Sequence, residues 1–285
     1  MMRATTTPAA MVKITLLAVA ITLLSLVSAL PTLLPRQAPN QMYIYNPTDQ
    51  TGSFNFTTFI VPIPLSDAYA LASPYELILT HGLPASIIPL GSFPLQITAG
   101  YYYDIRQRVV LGALPAQVQQ LSVVEVYVPF VDVLGGGGRA FRRSVVTYMD
   151  QLVPMLVGGV TQFHDAQLAY FDPAHAAYKP AGGNDLSFAA AQGIVNTLDG
   201  PGLVNTLFQT VFARTSSSPI SATTFRAILD QPYYTTAGQG CNQATLYYNY
   251  SNASPGYVSG NVQTFAPLTS ANANYDGARG YTAAA

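Results

Sequence analysis

The 285-residue chain has one cysteine, no tryptophan, three histidines and only 9% charged residues. Each shortage excludes something. One thiol, Cys241, cannot close an internal disulfide, so disulfide-stapled secreted scaffolds are ruled out and the fold must hold by its core. Nothing around Cys241 suggests a nucleophile, and it reads as a small buried residue. The missing tryptophan weighs against a sugar cleft built on indole platforms. A glycosidase also needs a spaced carboxylate pair, which a sequence does not reveal. The sparse charge leaves no basic patch of nucleic-acid strength. Apolar residues make up 49%, too many for a disordered chain.

The N-terminus is a targeting segment. A short basic stretch, MMRATTTPAAMVK, precedes the uncharged run Ile14 to Leu30, and Pro31 follows. Val27-Ser28-Ala29 supplies small residues for a signal peptidase, so residues 1–29 read as a secretory signal. Met11 offers a second start. The run is a little short of the roughly 20 residues that span a bilayer; an uncleaved anchor is the alternative. Residues 30–40 read as a propeptide or linker, with LPRQ at 34–37 as a second processing point. No stable membrane span is expected after cleavage. Trimming at Arg36 removes Arg3, Lys13 and Arg36, leaving nine basic against thirteen acidic residues, a net charge of −4. Three sequons fit secretion: Asn55, Asn249 and Asn252. Pro47 disqualifies Asn46.

The rest reads as mainly β, an α+β chain: one large antiparallel, partly closed barrel-like sheet with a few peripheral helices, over residues 41–268. Strands are expected at 42–45, 53–63, 75–80, 94–106, 122–131, 167–171, 245–250 and 257–265. In 94–106, Leu95, Ile97, Ala99, Tyr101, Tyr103 and Ile105 share one face, with period two. Prolines inside several runs favour edges and bulges over a continuous parallel sheet. Short helices are expected at 66–72, behind Ser66, and at 222–229, capped by Ser221. Leu186 to Leu198 is the best longer helix candidate. Residues 143–157 are ambiguous, with Pro154 ending any helix there. Residues 269–285, rich in Asn, Ala, Gly and Ser, read as a flexible tail.

The segment VVEVYVPFVDVLGGGGRAFRR looks at first like a phosphate cradle. A P-loop needs GK[ST]; here Arg139-Ala140 follows the glycines. Gly135, Gly137 and Ala140 fit a dinucleotide spacing, but no βαβ pattern or ribose-binding acid follows. The loop reads as a connection between strands, with Arg139 and Arg142 as anion-contacting candidates. No cofactor is expected. There is no G-x-S-x-G. His164, Asp172 and His175 lack a zinc-site pattern, so no metal is assigned.

The two glutamates interrupt apolar strands. Glu125 shares a face with Val123 and Tyr127, while Val124, Val126 and Val128 point the other way. An acid on a lined face needs a partner or a raised pKa. Two readings stand: a solvent-facing or ion-paired acid, and a pocket acid with Arg106 or Arg108 as partner. The candidate catalytic residues are Glu125, Glu76 and Arg106. Tyrosine, with 19 copies, can line an apolar cavity with polar tips. Tyr101, Tyr103 and Tyr127 are the ligand-facing candidates, with the pairs Tyr233-Tyr234 and Tyr247-Tyr248 behind them.

The order of IPLSDAYALASPYELIL, LQITAGYYYDI, VEVYVPFVD and AFRRSVVTYMDQLVPMLVGG resembles the acetoacetate decarboxylase-like family over about Phe54 to Phe265. The LPTLLPRQ leader and the ILDQP segment also resemble secreted fungal proteins. The family resemblance implies a cone-shaped β-barrel around an apolar pocket, and a Schiff-base lysine whose pKa is lowered by burial and a neighbouring cation. Phe141 to Pro154, the matching region, holds no lysine, and Lys179 is the only lysine after the leader. The expectation is a secreted glycoprotein that binds a small, largely apolar molecule without decarboxylase chemistry. The alternatives are an isomerase, cyclase or lyase using a pocket glutamate, and a wall or surface protein without a pocket. Oligomeric state has no signature in this sequence.

Overall fold

A computed structural model describes residues 40–46, 49–107, 116–152, 154, 165–197, 200–234, 241–248 and 253–284. The chain divides into two compact units, Met1–Gln37 and Ala38–Ala285, and every described residue lies in the second. The leader, Arg108, His164, Asn249 and Asn252 lie outside the described residues. Among the described residues no helix is long and apolar enough to cross a membrane.

The strands are β1 (Thr51–Pro64), β2 (Glu76–Leu77), β3 (Ser92–Gln107), β4 (Ala116–Asp132), β5 (Phe141–Met149), β6 (Ala166–Leu168) and β7 (Tyr170–Asp172). They continue with β8 (Lys179–Gly182), β9 (Asp185–Thr197), β10 (Gly200–Thr215), β11 (Tyr233–Tyr234), β12 (Cys241–Asn242), β13 (Gly256–Thr264) and β14 (Ala273–Ala284). The helices are α1 (Met42–Tyr45), α2 (Leu65–Ala72) and α3 (Ala222–Leu229). All fourteen strands form one sheet with the main path β12-β11-β5-β4-β3-β1-β14-β13-β10-β9-β7. Pairing is antiparallel except where β5 meets β11 and β6.

The sheet is mainly β as expected and does not close, but it curls. Three steps of strand spacing separate β1 from β10, about 14 Å in a flat sheet. Yet the rings of Phe59 and Phe212 meet edge to face with centroids 5.6 Å apart. The inner face thus packs on itself, and Phe59, Phe188, Phe208 and Phe212 fill the principal core. Each such ring contributes roughly 1.5–3 kcal/mol by leaving water. Strand β1 is buried on both faces for most of its length, which explains its unbroken apolar run. It pairs with β14 only as far as Ile60, so Pro62 falls where that edge is free.

Several expectations are corrected. Residues 273–284 are not a loose tail: β14 is an inner strand between β1 and β13. Its small side chains carry little β signal alone, and pairing on both edges supplies the order. Leu186 to Thr197, within the stretch expected to be helical, is strand, because pairing with β10 and burial of Phe188, Ala190 and Ala191 override alanine's helix preference. The 42–45 stretch is one helical turn, and the 75–80 strand shrinks to β2. Residues 243–248 carry no strand. Cys241 is exposed, not buried. Helix α2 starts at Leu65, with Pro64 and not Ser66 at its N-cap. Ser221 does cap α3, accepting from the Thr224 amide at 3.0 Å.

The glycine loop resolves simply. Gly135, Gly136 and Gly137 all have positive φ, a turn only glycine adopts cheaply. The Gly137 amide donates to Asp132 Oδ2 at 2.7 Å. The loop is tied to the end of its own strand, and the phosphate reading has no support.

Candidate functional site

The site grows from the register of β1, β3, β4 and β5. Directly opposite residues in an antiparallel pair share a face. Phe54 faces Tyr102, and Phe56 faces Gly100. Thr98 faces Glu125, and Gln96 faces Tyr127. Glu125 in turn faces Thr147. One face of β1, β3 and β4 therefore carries Phe54, Phe56, Tyr102, Thr98, Gln96, Glu125 and Tyr127, while Val124, Val126 and Val128 of β4 point into the principal core. Gly100 keeps this face close-packed: a Cβ there would stand 2.2 Å from the Asn55 carbonyl oxygen.

A β-bulge selects the cation. Val126 faces Val146, but Tyr127 faces Ser144, so Val145 is an extra residue. Unbroken alternation from Thr147 would turn Arg143 onto the Glu125 face. The bulge exchanges the two arginines. Arg142 turns toward Tyr127 with its guanidinium 4.7 Å above the ring, and Arg143 turns to Tyr234 on the core side. The parallel pairing of Tyr233 with Arg142 and Tyr234 with Arg143 repeats that division.

These side chains enclose a cavity of ≈ 70 Å³. Its polar wall is Glu125, Tyr127, Tyr102, Tyr233, Thr98 and Arg142. Its apolar wall is Phe54 and Phe56 from the sheet, Leu229 from α3, and Ala244 and Leu246. Arg142 is 4% exposed. A carbonyl, an amide and two rings hold it, without a carboxylate clamp: Nε donates to the Gln231 carbonyl at 3.1 Å and Nη1 to Gln96 Oε1 at 3.4 Å. Tyr233 flanks it at 5.8 Å. Beneath lies a buried polar seam, where Gln96 donates to Thr98 at 3.1 Å and Thr98 meets Thr58 at 2.8 Å.

Burial pushes the Glu125 carboxyl up to about 7; Arg142 and the donating Tyr127 hydroxyl pull it down only in part. Glu125 is half-buried and lines the cavity. Burial, then Glu125, raises Tyr102 and Tyr127 well above the ordinary phenol value. Tyr233 rises to about 12 for the same reasons. The cavity thus combines a carboxyl poised near neutrality, phenols that stay protonated as donors, and one fixed cation.

Four sequence-predicted residues meet here: Glu125, Tyr127, Arg142 and Tyr233. The pocket reading of Glu125 is the one the geometry supports, and its partner is Arg142 rather than Arg106. Arg106 is bound to Asp104 at 2.6 Å and lies 5.3 Å from the Tyr43 ring centroid. Glu76 is exposed on β2, opposite Asp132. Arg139 is exposed in the glycine loop, 5.8 Å from the Phe141 ring. Tyr101 and Tyr103 lie on the far face of β3, packed with Ala177 and Tyr178. Tyr101 donates to Gln120 at 2.6 Å. Tyr102 is the cavity residue, and the signal for it was present: the six-residue alternation from Leu95 to Ile105 puts Tyr102 on the opposite face. Asn55 is half-buried inside β1, and Thr57 of its sequon is fully buried against Tyr178 and Thr282. Asp172 binds Lys179, and His175 lies beside Gln120 and Asp150; among the described residues no metal-ligating cluster forms.

No family model matches the chain, and no curated protein matches it. Solved structures do. The chain is similar to the acetoacetate decarboxylase of Legionella pneumophila at 10% identity, covering 90% of both chains with a TM-score of 0.48. It is similar to the enduracididine biosynthesis enzyme MppR complexed with pyruvate at 15% identity, covering 83% of this chain and 86% of that one with a TM-score of 0.45. An acetoacetate decarboxylase-like enzyme from Sphingomonas wittichii is 11% identical over 82% of this chain and 88% of that one, with a TM-score of 0.42. Two of the three carry in their names the family that the sequence resembles.

Proposed function

We propose that this chain is a secreted glycoprotein that binds a small molecule in the Glu125 cavity. One observation carries the binding reading: a carboxyl of about 7 and a buried guanidinium face one aromatic-walled cavity. Convergent polar groups of shifted pKa on an apolar wall are what small-molecule sites use. Size limits the ligand. A cavity of about 150 Å³ accommodates benzene, so ≈ 70 Å³ admits a fragment of a few heavy atoms unless a wall moves. Secretion rests on the leader and the sequons. Imine chemistry has no support: Lys179 is exposed on β8 and paired with Asp172.

Native mass spectrometry of the deglycosylated protein, purified from its own culture medium, tests the reading. The expected result is a stoichiometric extra mass that Arg142→Met abolishes. A bare polypeptide mass turns the reading toward a wall or surface role.

A second reading has its own observation. A carboxyl near 7 is matched to proton transfer at neutral pH, which suits an isomerase, cyclase or lyase acting on the bound molecule. Once the ligand is known, turnover that survives Glu125→Gln excludes this reading.

A further inference from the structure

We propose that the extended strap Cys241–Tyr248 is a gate over the Glu125 cavity, and that its closure is coupled to protonation of Glu125. The proposal concerns regulation of the site just described and rests on that reading only for its biological use.

The strap is the weakest wall. The floor consists of long strands paired on both sides. The roof consists of Ala244 and Leu246 beside Leu229. Two register pairs, Tyr233 with Asn242 and Tyr234 with Cys241, tie the strap to the sheet. Gln243 Nε2 adds one bond to the Asp230 carbonyl at 3.0 Å. Residues 241–245 and Tyr247 are exposed, and Leu246 and Tyr248 are the half-buried side chains that pack the strap against the Phe54–Phe56 cluster, so closure rests on two apolar side chains. Such a segment opens at far lower cost than the sheet.

Tyr248 adds an independent observation on the closed state. Its ring packs on Phe56 and under Arg226, 4.5 Å from the guanidinium carbon. Its hydroxyl is buried without a hydrogen-bond partner among the described residues. Opening hydrates that hydroxyl, which favours the open form.

The coupling follows from what the strap covers. The groups around Glu125 are Tyr127 on its own strand, Tyr102 on β3, Arg142 on β5 and Tyr233 on β11. Asp230, just after α3, and Tyr248, on the strap, face Arg142. Only Arg142 is a fixed charge, and it does not compensate the lost hydration of a Glu125 carboxylate. Closing the strap over an ionised Glu125 removes water from that charge; closing over the neutral acid costs far less. Closure therefore takes up a proton, and the gate loosens as pH rises from about 4.5 toward about 7. Across pH 5 to 7 the opening equilibrium changes by at most about 40-fold.

A cysteine on the covered side reads the gate. In the full chain carrying Cys241→Ser, Leu229→Cys places one thiol in the cavity wall. Its labelling by 2,2′-dipyridyl disulfide is measured from pH 5 to 8 and divided by the rate at the exposed native Cys241, which removes ordinary thiol ionisation. Ala190→Cys, in the core away from the cavity, reports global unfolding. We expect Leu229→Cys to label much faster than Ala190→Cys. We also expect its normalised rate to rise tens-fold between pH 5 and 7, with Glu125→Gln removing the rise. Thr98→Cys on the cavity floor serves if Leu229→Cys does not fold. Labelling no faster than at Ala190→Cys, or an unchanged rise in Glu125→Gln, overturns the gate. No ligand enters the measurement, so its failure leaves the binding reading standing, and a bare native mass leaves the gate standing.

Discussion

The Arg142 guanidinium lies 4.7 Å above the Tyr127 ring while the Tyr127 hydroxyl donates to Glu125. Tyr127 therefore joins the two charged ends of the cavity through one side chain. Its ring face takes the cation and its hydroxyl takes the acid. This arrangement orients both groups without an ion-pair contact between them, so Glu125 stays an acid of near-neutral pKa.

The titration is directly observable because the chain has only two glutamates. With ¹³C-labelled glutamate, carbon NMR shows two carboxyl resonances, and Glu76→Gln assigns them. Glu125 is expected to titrate with a midpoint near 7. Arg142→Met and Tyr127→Phe each remove a group that favours the carboxylate, so each moves the midpoint upward. A Glu125 midpoint in the ordinary range contradicts the burial of that carboxyl.

Stability should depend on pH through the same group. The folded protein holds the Glu125 proton up to about 7, whereas the unfolded chain releases it at about 4.5. Between those values the folded state binds more protons, so stability falls as pH rises. The contribution is fully present below about 4.5 and lost as pH passes through about 7. The difference amounts to about 3 kcal/mol. Urea unfolding at pH 5, 6, 7 and 8 measures it, and Glu125→Gln should flatten the slope.

Gly100→Ala should be strongly destabilising. The new methyl would stand 2.2 Å from the Asn55 carbonyl oxygen and 2.7 Å from the Phe56 Cα, both backbone atoms of a central strand. Neither moves without breaking β1–β3 pairing. A loss of about 3 kcal/mol or more is expected, read as a lower urea midpoint.

Truncation after Asn272 should abolish cooperative unfolding. It removes β14 and exposes the edges of β1 and β13 along their whole pairing. A truncated chain that unfolds with the native midpoint in circular dichroism would show that β14 adds nothing to the sheet.

Much of this was legible in the chain itself. Alternation in 94–106 and 122–131 gave two long strands and the face of Glu125, because side-chain period two follows from strand geometry alone. Ser221 announced α3 by its capping chemistry. The shortage of charge made Glu125 conspicuous, and the single cysteine required a fold held by its core.

Other features needed the fold. Leu186 to Thr197 has helical composition and becomes a strand because β10 pairs with it; the tail becomes β14 because β1 and β13 offer it two edges. Arg142, not Arg106, faces Glu125 because one extra residue, Val145, reverses the alternation of β5. A bulge arises from how two strands meet, and so does the burial that raises Glu125. The sequence by itself determined which groups were available and which faces of each strand they occupy. Tertiary pairing decided which faces meet, and with that which acid loses its water and which cation stands beside it.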